Sequence, residues 1–459
     1  MGYFVIAFHV FGLTPVGVRL DSAQHFQEKL IAKIPIRRWY STLHREEYRG
    51  SSQYNVWISP DGQSVAYLLE HPGSGGSKWS VVHGDSDDPE FDRIGYLRFS
   101  PSGNHLAYAA REGKEWLVVL DGQKGVRRGF SSIGDLWWVR GGSLLVYDGY
   151  IGQSWQLVVG DQSSSPGGLL NEFVYEDGTL GQVQSNDGVA TVFVDGKRVF
   201  GCARGTRLIP WWREKQFACI ESHNGKEVLV FNGKTGPAVD RIGYPENPSV
   251  SRDGKQVIYG AEDGKKQFVV VGDRVIPFPP CADPAFGPDG RYAYLACEQR
   301  KEFLVVDGTP WPSFEQVDPP VFSDDGKSIA CAAHQNGREF FLVDGRKGLE
   351  FDGVNYKLEF ASNSERFAYI AWRANSGLVV VGDKPGPEFD AVDEPVFSPD
   401  GKMVAYRAKR RTKQFIVAND KEGPGFDWVS APVFSSNGRQ AAYVAADGRE
   451  LWLKVIDLQ

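Results

Sequence analysis

Cysteine is scarce in this 459-residue chain, and its count is odd: Cys202, Cys219, Cys281, Cys297 and Cys331. No C-x-x-C pair occurs, so the spacing that holds zinc or exchanges disulfides is missing. Cys219, Cys297 and Cys331 fall in apolar strand patterns, where a thiol acts as a small hydrophobe. We read all five as free thiols, which favours a reducing, cytoplasmic setting over an exported one. The only Asn-x-Ser/Thr match, Asn247-Pro248-Ser249, has proline in the forbidden place, so no glycan is expected.

Histidine is equally thin, with eight scattered residues and no H-E-x-x-H, so neither a metal site nor a cofactor is expected. The chain also lacks G-x-x-x-x-G-K-[ST], G-x-G-x-x-G and G-x-S-x-G, which removes the usual signals of nucleotide binding and of an α/β-hydrolase. Residues 73–77, Gly-Ser-Gly-Gly-Ser, have no helix after them to hold a phosphate, and read as a hairpin loop. Positive charge is not in excess: 51 Lys and Arg face 58 Asp and Glu, a net charge of −7. A nucleic-acid backbone is therefore not the expected partner. The most apolar stretch, residues 2–18, is broken by Gly12, Pro15 and Gly17 and has no basic flank. It reads as neither a membrane span nor a signal peptide.

What the chain has in plenty is glycine, 53 residues, together with 13% aromatics. The glycines are spaced. Ser59-Pro60-Asp61-Gly62, Ser100-Pro101-Ser102-Gly103, Ser251-Arg252-Asp253-Gly254, Gly287-Pro288-Asp289-Gly290, Ser323-Asp324-Asp325-Gly326, Ser398-Pro399-Asp400-Gly401 and Ser435-Ser436-Asn437-Gly438 each follow an apolar pair and precede an apolar run. That is strand, tight turn, strand, with glycine taking the positive φ. Weaker copies near 142, 178, 214 and 364 complete a series of about eleven anchors spaced 36–41 residues apart. After each turn comes an x-Ala-Tyr strand, as in Leu106-Ala107-Tyr108. A third strand follows, such as Trp116-Leu117-Val118-Val119, ending at Asp-Gly or a similar pair, and then a short fourth strand, as in Pro387-Glu388-Phe389-Asp390. Each unit is a meander apolar on both faces, which only stacking against neighbours can cover. The expected fold is all-β, a β-propeller of about eleven four-stranded blades, with a single large ring preferred over two smaller ones.

An apolar pair, Ser-Pro-Asp-Gly-Lys and an x-Ala-Tyr strand together resemble the TolB-type, WD40-like propeller repeat. The resemblance covers residues 45–459, is weakest in repeats three to five, and lacks the His and Trp-Asp signature of ordinary WD40 blades. It implies the propeller fold.

The last repeat stops after its third strand, residues 451–456. Glu46-Glu47-Tyr48-Arg49, ahead of the first anchor, is placed to supply the missing outer strand, so that an N-terminal strand closes the propeller. Residues 1–44 form an N-terminal segment in which residues 22–34, ended by Pro35, read as a short helix.

The Asp residues of the Ser-Pro-Asp-Gly turns, Asp61, Asp289, Asp325 and Asp400, bond their own backbone in this reading. Another acid precedes the first strand of several blades: Asp135, Glu246, Asp283, Asp318 and Glu394. At a propeller's channel mouth these would form an acidic ring able to hold a cation or a basic peptide. Trp211 and Trp311 are aromatic candidates for binding anchors, with blade core as their structural role. The expected function is a non-enzymatic scaffold for a protein or peptide partner. The alternative is an enzyme using channel carboxylates on a carbohydrate or small molecule, which needs two acids roughly 5–9 Å apart.

Overall fold

A computed structural model describes residues 19–21, 26–33 and 56–458, apart from 75, 85, 153, 161, 164–168, 176, 187–188, 204–205, 212–214, 244–247, 278–283, 363–364 and 449. The described residues form eleven antiparallel sheets and no α-helix. The fold is an eleven-bladed β-propeller. Blades 1–11 span 56–87, 93–124, 132–163, 169–201, 207–235, 241–276, 285–310, 316–347, 353–385, 391–422 and 428–457. Contacts divide the chain into two compact units, one holding blades 1–3, 10 and 11, the other blades 4–9.

Three recurrent side-chain latches turn the sequence repeat into blade geometry. The first is the turn between strands one and two. Ser251 Oγ donates to Asp253 Oδ1 at 2.7 Å and accepts from the Gln256 N–H at 3.0 Å, while Asp253 Oδ1 accepts from the Lys255 N–H at 3.1 Å. Ser323–Asp325 and Ser398–Asp400 repeat the arrangement. These serines are buried, as are Ser59 and Ser100, and the backbone satisfies them. The four turn aspartates thus do what the sequence suggests.

The second latch closes the other hairpin. Asp121, Asp307 and Asp344, at φ near +50°, accept from the first N–H of strand two through Leu106, Tyr292 and Ile329. The third lies where the chain passes from one blade to the next, in a Phe-Asp-x-Val/Ile segment. Phe91, Phe351 and Phe389 are buried and pair by backbone with the third strand behind them. The following acid caps a hairpin of the next blade: Asp92 accepts from Gly113 N–H at 2.6 Å, Asp240 from Gly264 at 2.6 Å, Asp352 from Ala374 at 2.7 Å and Asp427 from Gly448 at 2.9 Å. The segment read from sequence as a fourth strand does pair with the third, through Phe389 and Gly377, and leads on from Lys384–Pro385 into the next blade. Most of the regular fourth strands are two-residue pairs such as Lys384–Pro385; that of blade 4 has five residues and that of blade 6 three.

Three readings need correcting. An N-terminal strand does complete the last blade, but it is Phe26–Lys33, paired with Glu450–Asp457, with Arg19–Asp21 added outside it. Residues 46–49 lie outside the described residues. The same strand replaces the helix expected over 22–34: the open edge of Glu450–Asp457 offers a full ladder of backbone partners, and tertiary pairing overrides a local helical pattern. Ile31, at the register shift, packs on the blade 11 core. Finally, the cysteines are not all free. Cys202 and Cys219 form a disulfide with Cα atoms 5.8 Å apart, stapling the end of blade 4 to the second strand of blade 5. Cys297 is also disulfide-bonded, to a partner outside the described residues. Only Cys331 is a free thiol among the described cysteines, and it is buried. The thiol argument for a reducing compartment falls with these bonds.

Candidate functional site

The first strand of a blade must pair with strand two while recovering from the crossover before it, and the mismatch is taken up by a β-bulge. In blade 2 the register shifts between Gly95 and Arg98, in blade 3 between Ile133 and Leu136, and in blade 9 between Val354 and Leu358. In blades 8, 10 and 11 the interruption is complete, and the first strand becomes two short pieces flanking 318–320, 393–395 and 430–432. Bulges aim side chains away from the sheet and often sit beside binding sites.

The candidate acids that can be placed occupy this bulge. Asp135 is in the blade 3 bulge, mostly exposed, with Oδ1 3.3 Å from Arg98 Nη2 and its N–H donating to Asp148 at 2.8 Å. Burial raises the Asp148 carboxyl above its ordinary range. Glu394 is exposed in the blade 10 bulge beside Asp393, which pairs with Arg407. In the other unit, Asp318 is half-buried in the blade 8 bulge. Its pKa is pushed up to about 6, first by burial and then by Glu339 and Glu302. Those two glutamates are themselves structural: Glu302 accepts from the Val317 N–H at 2.8 Å and Glu339 from the Val354 N–H at 2.8 Å. Glu246 and Asp283 lie outside the described residues.

The aromatic candidates are packed. Trp211 stands edge-on to Phe231 at 5.7 Å and donates its indole N–H to the Pro248 carbonyl at 2.9 Å. Trp311 packs against the cluster formed by blades 7 and 8, which includes Cys331 and Phe340. The exposed bulge aromatics are ones the sequence reading passed over: Tyr96, 38% exposed at φ +51°, and Tyr356, 61% exposed. A signal was present, because Asp-Arg-Ile-Gly-Tyr occurs twice, at 92–96 and 240–244. A tyrosine in the left-handed region is strained backbone, of the kind that gathers at functional sites.

Among the described residues, no group of three or more His, Cys, Asp or Glu could hold a metal ion, and no helix is long and apolar enough to cross a membrane.

The fold is a β-propeller, as the eleven small antiparallel sheets show. No family model matches the chain, and no curated protein matches it. Solved structures similar to it include TolB from Acinetobacter baumannii, 13% identical over 60% of this chain and 78% of that one, TM-score 0.23. The Dos1 propeller is 9% identical over 80% of this chain and 93% of its own, TM-score 0.30. Dihydro-heme d1 dehydrogenase NirN in complex with DHE is 14% identical over 61% and 71%, TM-score 0.28.

Proposed function

We propose that this chain is a non-enzymatic scaffold that binds a basic protein or peptide segment through its first-strand bulges. The observation that carries this reading is chemical: side chains projected from the bulges are carboxylates and exposed tyrosines, Asp135, Glu394 and Tyr96 in one unit, Asp318 and Tyr356 in the other. Carboxylates steer a cationic segment, and tyrosines supply rigid contact area at low entropic cost. The rigid, latched blades hold them in place in advance, which limits the ordering cost of association. Catalysis by paired acids finds less support, since Glu302 and Glu339, the neighbours of Asp318, are each bonded to backbone.

The disulfides support an oxidising compartment as the place of work. Fluorescence anisotropy with lysine- and arginine-rich peptides tests the binding reading. Replacing Asp135, Asp318 and Glu394 together by their amides should weaken binding about tenfold or more at low salt. Unchanged binding by that variant would remove the acidic bulges from the interface.

A further inference from the structure

A second site opens on the hairpin side of blades 5 and 6. A cleft of about 950 Å³ lies there, lined by the fourth strands of both blades and the start of strand two of blade 6. One position in the repeat bounds it. The residue after the short fourth strand donates its N–H back to the third strand: it is Asp88 in blade 1, Trp311 in blade 7, and glycine in blades 2, 5, 8, 9 and 10, as Gly125, Gly236, Gly348, Gly386 and Gly423. In blade 1, Asp88 accepts the hydroxyl of Tyr108 from the next blade at 2.9 Å. In blade 7, Trp311 fills the space with an indole. In blade 5, Gly236 leaves it open. A Cβ there would stand 2.3 Å from the Tyr259 hydroxyl, so no side chain fits while that tyrosine keeps its place.

The Tyr259 hydroxyl therefore lacks the acceptor that Asp88 gives Tyr108 at the boundary of blades 1 and 2, and here it faces a cleft. Tyr259 is fully buried, lines the cleft, and its hydroxyl has no partner. Tyr292, also in the lining, has a hydroxyl in the same condition. Native proteins rarely leave buried polar groups unpaired, and each such group calls for an explanation. Leu229, Phe231, Val257 and Val271 make the remaining wall apolar. At the rim stand Lys234 and Arg274, neither bridged to a described carboxylate, while Lys255 is held by Asp253 at 3.1 Å. Three cations to one carboxylate, Asp273, line the cleft.

We propose that this cleft binds a small amphipathic anion. Its alkyl or aromatic body lies on Phe231, Val257 and Val271, and its carboxylate, sulfonate or phosphate meets Lys234 and Arg274 and accepts from a tyrosine hydroxyl. The chemistry follows from the lining: mostly apolar walls with a few convergent polar groups are the usual composition of small-ligand sites, and the charge at the rim selects the sign. The proposal stands independently of the bulge carboxylates.

Isothermal titration of the full chain with decanoate tests it, with decyltrimethylammonium as the chain of matched length and opposite charge. Decanoate should bind one per chain and the cation should not. Changing Lys234 and Arg274 together to Gln should weaken decanoate about tenfold or more, and Tyr259→Phe should weaken it severalfold with the fold intact by circular dichroism. Arg346→Gln, at the position equivalent to Lys234 in blade 8, should change nothing. Equal binding of the two amphiphiles, no binding of decanoate, or an equal loss in the Arg346 variant would each overturn the proposal.

Discussion

The hydroxyl of Tyr108 in blade 2 donates to Asp88 at the end of blade 1, 2.9 Å away, across the boundary between sheets. Burial raises both pKa values, Asp88 upward from 3.8 and Tyr108 well above the usual phenol range. The pair is a charged hydrogen bond in a half-buried crevice. Tyr108→Phe should therefore destabilise by about 1–3 kcal/mol, because Asp88 keeps its desolvation and loses its donor. Asp88→Gly restores the residue found at Gly236 and should cost less. Urea unfolding of the two single variants and the double variant should give a coupling of about 1–2 kcal/mol.

The same boundary in blades 7 and 8 inverts the sizes. Trp311 stands where blade 5 has Gly236, and Cys331 stands where blade 6 has Tyr259. One side of each crevice is large and the other small. Trp311→Gly should cost about 3–5 kcal/mol through the cavity it leaves. Cys331→Tyr alone should overpack the site and cost about 1–3 kcal/mol. The double variant should recover a large part of the loss, because it rebuilds the pairing of blades 5 and 6. Thermal unfolding of the three variants reads this directly, and additive losses would mean that the two positions do not share one crevice.

These size exchanges also mark how far the sequence could be read. Its period, the Ser-x-Asp-Gly turns and the x-Ala-Tyr strands are local signals, and each maps onto a turn or strand that its own residues stabilise. Phe351-Asp352 has a second role that spacing within one repeat cannot reveal: its backbone continues a strand ladder while the Asp352 carboxylate caps a hairpin of the next blade. Asp318 and Glu394 look equivalent in sequence, yet Asp318 aligns with Asp393, since both donate their N–H to the paired second strand, at Ala332 and Arg407. A bulge hides a one-residue offset of this kind. Phe26–Lys33 was illegible for a different reason: its conformation is set by an edge more than 400 residues away in sequence.

Asp318 gives stability a pH dependence of defined sign. Its folded pKa, about 6, lies above the ordinary 3.8. Between those values the folded chain holds the proton more tightly than the unfolded one, so stability falls as pH rises from about 4 to about 6. Asp318→Asn removes this penalty. The variant should match the parent near pH 4 and exceed it at pH 7.5 by about 1 kcal/mol, a figure reduced from the full linkage value because the site is half exposed. Denaturant midpoints across pH 4–8 check it, and a constant difference at all pH values would assign the effect to packing.

The Cys202–Cys219 bond closes a short loop across the boundary of blades 4 and 5, with a sequence separation of 17. Both residues are buried, so the link is a staple of the inter-blade core. A loop of that length is worth about 3 kcal/mol in chain entropy. Changing both cysteines to Ala should lower stability by about that much, with the earliest loss of amide protection in 169–235, where the third latch has no described counterpart to take over. Non-reducing peptide mapping should recover the 202 and 219 peptides joined. Cys331, buried and with its thiol pKa pushed up to about 12 by desolvation and then by Asp318, should resist alkylation until the chain is unfolded. Rapid labelling of Cys331 in the native protein, or separate 202 and 219 peptides from protein made under oxidising conditions, would contradict this arrangement of the thiols.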